Sequence, residues 1–107
     1  MDDLHARFLP QFVKLARARI AKAIKVIAER EAATFARLAT ELHTLAGEAG
    51  LLGLHDVVPL ARDGESKAKA FQVSRSDADA EVLLAMLREL DHRIEQIGVA
   101  APTPGDS

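Results

Sequence analysis

The chain contains no cysteine, tryptophan or tyrosine, and its four aromatic residues are all phenylalanine. Without cysteine there is no disulfide scaffold, thiolate metal site or cysteine nucleophile, and a reducing cytoplasm is the compartment such a composition suits. So few aromatics leave few platforms for stacking bases, and a formal net charge of −2 supplies no basic field, so nucleic acid is not an expected partner. No segment reaches the ~18 uncharged apolar residues of a membrane span. The opening MDDLHARFLPQF lacks the basic start and unbroken apolar run of a signal peptide. The expectation is a cytoplasmic domain with no membrane insertion. At 107 residues the chain has room for one core, and not for a catalytic domain beside a separate cofactor domain.

What is present is helical spacing. Phe8, Phe12, Leu15, Ala16, Ile20, Ala23, Ile24 and Ile27 recur at threes and fours, with Lys14, Arg17, Lys22 and Lys25 on the opposite arc. Pro10 belongs in the first turn of this helix, or marks a break after a short extra N-terminal helix over 2–8. Thr34 is the best N-cap for a second helix with an inner stripe of Phe35, Leu38, Leu42, Leu45, Ala49 and Leu52, ended by Gly53. A third helix starts near His55 or Asp56, with Pro59 in its first turn and Val57, Ala61, Gly64, Ala68 and Phe71 on one face. Ser76 and Asp79 fit a capping box for the last helix, whose stripe is Leu83, Met86, Leu87, Leu90, Ile94 and Ile97, closed by Gly98. With no strand-like alternation, the expected fold is all-α: an antiparallel four-helix bundle over residues 1–98, followed by a flexible tail or linker over 99–107.

The stretch HTLAGEAGLLG, residues 43–53, departs from good helix design, because each interior glycine costs roughly 0.5–1 kcal/mol relative to alanine. On a wheel of about 100° per residue, Ala36, Ala39, Thr40, Ala46, Gly47 and Gly50 fall within about 60° of His43. A core histidine would stand among large apolar side chains, and a merely solvated one among Lys, Glu or Gln. Small neighbours instead clear space for an approaching group.

HTLAGEAGLLG followed by PLARDGE resembles the signature of histidine-phosphotransfer domains, roughly H-x-L-K-G-x-x-x-x-x-G with an acidic residue on the next helix. The N-terminal phosphorylated domain of chemotaxis-type histidine kinases carries the same pattern. The resemblance implies that His43 is phosphorylated by a kinase and exchanges the phosphoryl group with the aspartate of a response-regulator receiver domain. It implies that Gly47 and Gly50 are the small positions beneath the docking partner, that Gly53 ends the helix, and that Glu65 hydrogen-bonds the histidine. A carboxylate accepting from Nδ1–H would fix the tautomer and leave Nε2 bare for attack on phosphorus. Gly64 would let the third helix come close.

The family usually has lysine where this chain has Ala46, three residues after the histidine. Arg62, one turn before Glu65, is the first candidate to contact the phosphoryl group instead, with Lys67 and Lys69 behind it. The expected docking surface is Ala39, Ala46, Gly47 and Gly50 with flanking Leu51 and Leu54. The remaining histidines point nowhere in particular: Glu89 and His92 form a lone Glu-x-x-His pair where a di-iron bundle needs two, and His5 and His55 read as terminus and loop. No serine sits in an elbow motif, and no Gly-rich nucleotide loop is present.

Three readings follow. The first is a phosphocarrier, monomeric in isolation, binding no cofactor of its own; magnesium is expected on the receiver, and the kinase catalytic domain is a second partner. The second is the phosphorylated domain of a chemotaxis-type kinase, which would make the chain part of an enzyme whose ATP site lies elsewhere. The third, from another class, is a helical adaptor that binds receivers without being phosphorylated.

Overall fold

The computed structural model describes residues 2–100, with side chains from Arg7 onward. Four helices follow one another: α1 (Asp2–Ala28), α2 (Phe35–Leu51), α3 (Val57–Ser74) and α4 (Asp77–Ala100), with a single 3-10 turn, Ala32–Thr34, leading into α2. No strand occurs among the described residues. Short connections make sequential neighbours antiparallel. The contacts agree: Val13 meets Gly98 while Arg17 pairs with Asp91, and Gly50 faces Val58 while His43 faces Glu65. α1 packs on α4 and α2, and α3 packs on α2 and α4, closing an antiparallel four-helix bundle 49 × 20 × 20 Å in extent. None of the described helices is long and apolar enough to cross a membrane.

The core is the meeting of the four apolar stripes. Val57, Ala61, Gly64, Ala68 and Phe71 are all buried, as the spacing of α3 requires. Phe71 lies against Phe35 with ring centroids 4.6 Å apart and planes tilted by 51°, a favoured geometry for an aromatic pair. Around them stand Ile20, Ile27, Leu45, Leu83, Leu87, Leu90 and Ile94, each worth about 1.5–3 kcal/mol when fully removed from water. No polar or charged residue is buried as a whole among the described residues, and the buried side-chain nitrogen left without a partner is Nε of Arg93. Val26 and Leu84 join the core beyond the expected stripes, while Phe8 and Leu15, expected to face inward, are about half exposed. These two lie on the stretch of α1 that runs past the end of the shorter α2, where no helix covers that face.

The helix ends correct three sequence expectations. No short extra N-terminal helix is present: α1 runs continuously through Pro10. Proline there removes one helical hydrogen bond, and Pro10 itself is exposed. Gly98 does not end α4, which continues to Ala100. Its role is close approach, because a Cβ at this position would lie 2.9 Å from Cγ1 of Val13 on α1. Thr34 precedes α2 but does not cap it; its hydroxyl donates back to the Glu31 carbonyl. Of the expected tail over 99–107, Val99 and Ala100 instead form the end of α4, and residues 101–107 lie outside the described residues.

Three helix ends use left-handed backbone, at Arg30, Gly53 and Arg75. Gly53, with φ 72°, follows α2 in a Schellman arrangement: Leu54 N–H donates to Ala49 O and Gly53 N–H to Gly50 O. The same pattern ends α1, with Arg30 in the glycine position at φ 54°, Glu31 N–H donating to Val26 O and Arg30 N–H to Ile27 O. The Arg30 guanidinium offsets the steric penalty by donating to the Ile27 carbonyl and, at 2.8 Å, to Asp77 at the start of α4. Ser76 caps α4 as expected by accepting from Asp79 N–H at 3.1 Å, but Asp79 does not reach back to Ser76 N–H. Ser74 intervenes, accepting from Ser76 N–H and donating its hydroxyl to Asp79.

Candidate phosphoryl-transfer site

His43 projects from the middle of α2 with its side chain 76% exposed, and its Nδ1 lies 3.2 Å from Oε1 of Glu65 on α3. Glu65 is more enclosed, at 17% side-chain exposure. Its second oxygen, Oε2, is held by Nζ of Lys69, 3.3 Å away and one turn further along α3. Partial burial pushes the Glu65 carboxyl up, but hydrogen bonds from His43 and Lys69, with their charges, outweigh this and hold it below its ordinary value. At neutral pH Glu65 is therefore ionised and can only accept. A neutral imidazole facing it must carry its proton on Nδ1, which leaves Nε2 bare.

The strip around His43 is split by α3. Measured about the axis of α2 from His43, Ala39 and Ala46 lie about 40° and about 60° to one side, and Gly47 and Thr40 lie at similar angles on the other. The side carrying Ala39 and Ala46 is where α3 packs. Both alanines are buried, at 8% and 5% exposure, rather than open to a partner as the wheel alone led one to expect. The exposed part of the strip is Ala36, Thr40, His43, Gly47 and Gly50, flanked by Leu51 at 86% exposure. Leu54 is half-buried and packs on the core.

No intramolecular contact demands the glycines beside His43. A Cβ built on Gly47 would find no heavy atom within 4 Å, and one on Gly50 would meet only Val58 Cγ2 at 3.9 Å. Gly64 is likewise not required for helix approach, since a Cβ there would rest at ordinary contact distance from Leu42 and Met86, 3.5–3.6 Å. The expected cation also differs. Arg62 is exposed and makes no ion pair among the described residues, and Lys67 is turned to Asp63 at 2.8 Å, so Lys69 is the cation bonded to the His43–Glu65 pair. A Glu placed four residues before a Lys on one helix is the orientation that pairs best, and this spacing was the signal favouring Lys69 over Arg62.

His55 and His92 take no part in this cluster; His92 stands 4.0 Å from Glu95 on its own helix. The side chain of His5 lies outside the described residues. A search of curated proteins and of solved structures returns no match. The family model of the Hpt domain matches residues 7–100, which takes in α2, α3, α4 and most of α1. An exposed histidine paired to a carboxylate on the next helix of a four-helix bundle, within a match of that extent, leads to one conclusion: the chain belongs to the Hpt domain family, whose members carry out histidine phosphotransfer in phosphorelay signalling.

Proposed function

We propose that this domain is a phosphocarrier in which His43 accepts a phosphoryl group on Nε2 and exchanges it with the aspartate of a response-regulator receiver domain. The observation that carries this reading is the Nδ1–Glu65 contact on an exposed ring beside bare helix backbone. In the forward step the Nε2 lone pair attacks phosphorus, the bond from phosphorus to the donor's leaving group breaks, and its electron pair departs with that group. The Nδ1 proton remains in its hydrogen bond to Glu65, which steadies the positive charge spreading over the ring. In the return step the receiver's carboxylate attacks phosphorus and Nε2 leaves with the electron pair.

This chain's residues supply the nucleophile, its tautomer and a surface. The phosphodonor and its nucleotide chemistry belong to a kinase catalytic domain, and magnesium belongs to the receiver's acidic pocket. Gly47, Gly50 and Leu51 are the contact surface, and a transient complex burying about 1,200 Å² or less would suffice.

The His43–Glu65 hydrogen bond also favours a narrower reading, the phosphorylated domain of a chemotaxis-type kinase, in which a glutamate on the following helix has this role. The length of the natural open reading frame separates the two. Incubation with a phosphodonor should give an acid-labile, base-stable mass gain of about 80 Da on His43. His43→Gln should abolish it while leaving helicity and thermal midpoint nearly unchanged, because the side chain is exposed. A wild-type domain that binds receivers yet is left unmodified by competent kinases would instead be an adaptor.

A further inference from the structure

Two lysines on α3 are paired to acids one turn earlier on the same helix. Lys67 holds Asp63 at 2.8 Å and Lys69 holds Glu65 at 3.3 Å. By spacing alone both are ordinary helix-surface pairs, worth a few tenths of a kcal/mol. They differ in what the carboxylate does next. Asp63 has no further partner among the described residues, whereas Glu65 divides its oxygens, one to Lys69 and one to His43.

We propose that Lys69 is a positioning residue for phosphoryl transfer: by holding the outer oxygen of Glu65 it keeps the inner oxygen on Nδ1 of His43, and so keeps Nε2 unprotonated. The inference rests on the phosphocarrier reading and extends it. A glutamate turns about three side-chain bonds, and with one oxygen free it can rotate away from the ring. With each oxygen bonded to a different partner, the carboxylate plane is fixed. The ammonium also favours the ionised carboxylate, and that state decides the tautomer. A protonated Glu65 would donate to Nδ1 and put the ring proton on Nε2, where no lone pair would remain for phosphorus. The cation therefore acts from α3, through Glu65, while the position one turn beyond His43 on α2 is the buried methyl of Ala46.

The test uses the purified domain and phosphoramidate as donor, following the initial rate of phosphohistidine formation in wild type, Lys69→Met, Lys69→Arg and Lys67→Met. In parallel, ¹⁵N NMR of the His43 ring reads which nitrogen carries the proton. Lys69 is 66% exposed, so its variants should keep wild-type circular dichroism. Lys69→Met should slow the reaction about tenfold, the lower end of the losses seen when a histidine's outer partners are disturbed. Its ring should shift from Nδ1–H toward a mixture of tautomers. Lys69→Arg should recover most of the rate, and Lys67→Met should match wild type. A wild-type rate or an unchanged tautomer in Lys69→Met overturns the proposal, as does an equal loss in Lys67→Met or no recovery in Lys69→Arg. If the wild type takes no phosphate, the phosphocarrier reading fails, and the tautomer measurement still decides whether Lys69 governs the ring.

Discussion

Gly47→Ala should make the domain more stable and a poorer partner. Gly47 lies inside α2, where glycine is disfavoured relative to alanine by roughly 0.5–1 kcal/mol through the extra freedom of the unfolded chain. The usual reason for keeping such a residue is a close internal neighbour. None exists here, because the added Cβ would find no heavy atom within 4 Å. The full gain should therefore appear, raising the thermal midpoint by about 2–4 °C for a domain of this size. Phosphorylation of His43 by a small donor should be unchanged, since the methyl points away from the Glu65 side of the ring.

Transfer to a receiver is another matter. If the partner packs against bare backbone at about 3.5–4 Å, a new methyl carbon about 1.5 Å from Cα pushes it outward by a comparable distance. A displacement of about 1 Å between reacting groups is enough to slow a transfer by as much as about 100-fold. The assay pairs a thermal melt with phosphotransfer from the phosphorylated domain to a receiver. A stabilised variant that transfers as fast as wild type would refute the idea that Gly47 is kept bare for a partner. An unstabilised one would refute the claim that nothing inside the domain needs it.

Two further variants test the geometry. The Glu65 carboxyl is held below its ordinary value of 4.5, so its stabilising contribution is fully present above that pH and is lost as pH falls through the depressed value. The difference in thermal midpoint between wild type and Glu65→Gln should be constant near neutrality and shrink below about pH 4.5, and a difference that grows on acidification would reverse the assigned shift. Ala46→Lys must bring a long stem out past α3 from a position only 5% exposed, so it should cost about 1–3 kcal/mol in urea denaturation. An unchanged denaturation midpoint would show that α3 does not close over Ala46.

The fold was legible where burial alone decides the residue type. The face Val57, Ala61, Gly64, Ala68, Phe71 has only one explanation, a helix with that side inward, and all five positions are buried. Legibility failed where a rule is statistical and a neighbour overrides it. Gly98 reads as a helix end, but Val13 on α1 is what excludes a larger residue there, and only the packed pair shows it. Arg30 and Arg75 occupy left-handed positions at φ 54° and 53°, which a reader scanning for glycine passes over. Arg30 is held by bonds to Ile27 and Asp77, and Arg75 stacks its guanidinium 5.9 Å from the centre of the Phe35 ring. Both are arrangements made by residues distant in sequence.

The site divides along the same line. Spacing matched Glu65 to His43 across the short turn joining α2 to α3, but it ranked Arg62 ahead of Lys69 as the nearby cation, and the i,i+4 pair on α3 is what brings Lys69 to Glu65. A helical wheel, however, treats all directions outward from one helix as equal until another helix arrives. Ala39, Ala46, Gly47 and Gly50 therefore looked like one strip. The arrival of α3 sorts them: the two alanines are buried under it, while Gly47 and Gly50 stay exposed, a Cβ on Gly47 meeting no heavy atom within 4 Å and one on Gly50 only Val58 Cγ2 at 3.9 Å. Residue type alone does not make this division, since Ala36 on the same strip is exposed; the packing of α3 buries Ala39 and Ala46 and leaves Ala36, Gly47 and Gly50 open.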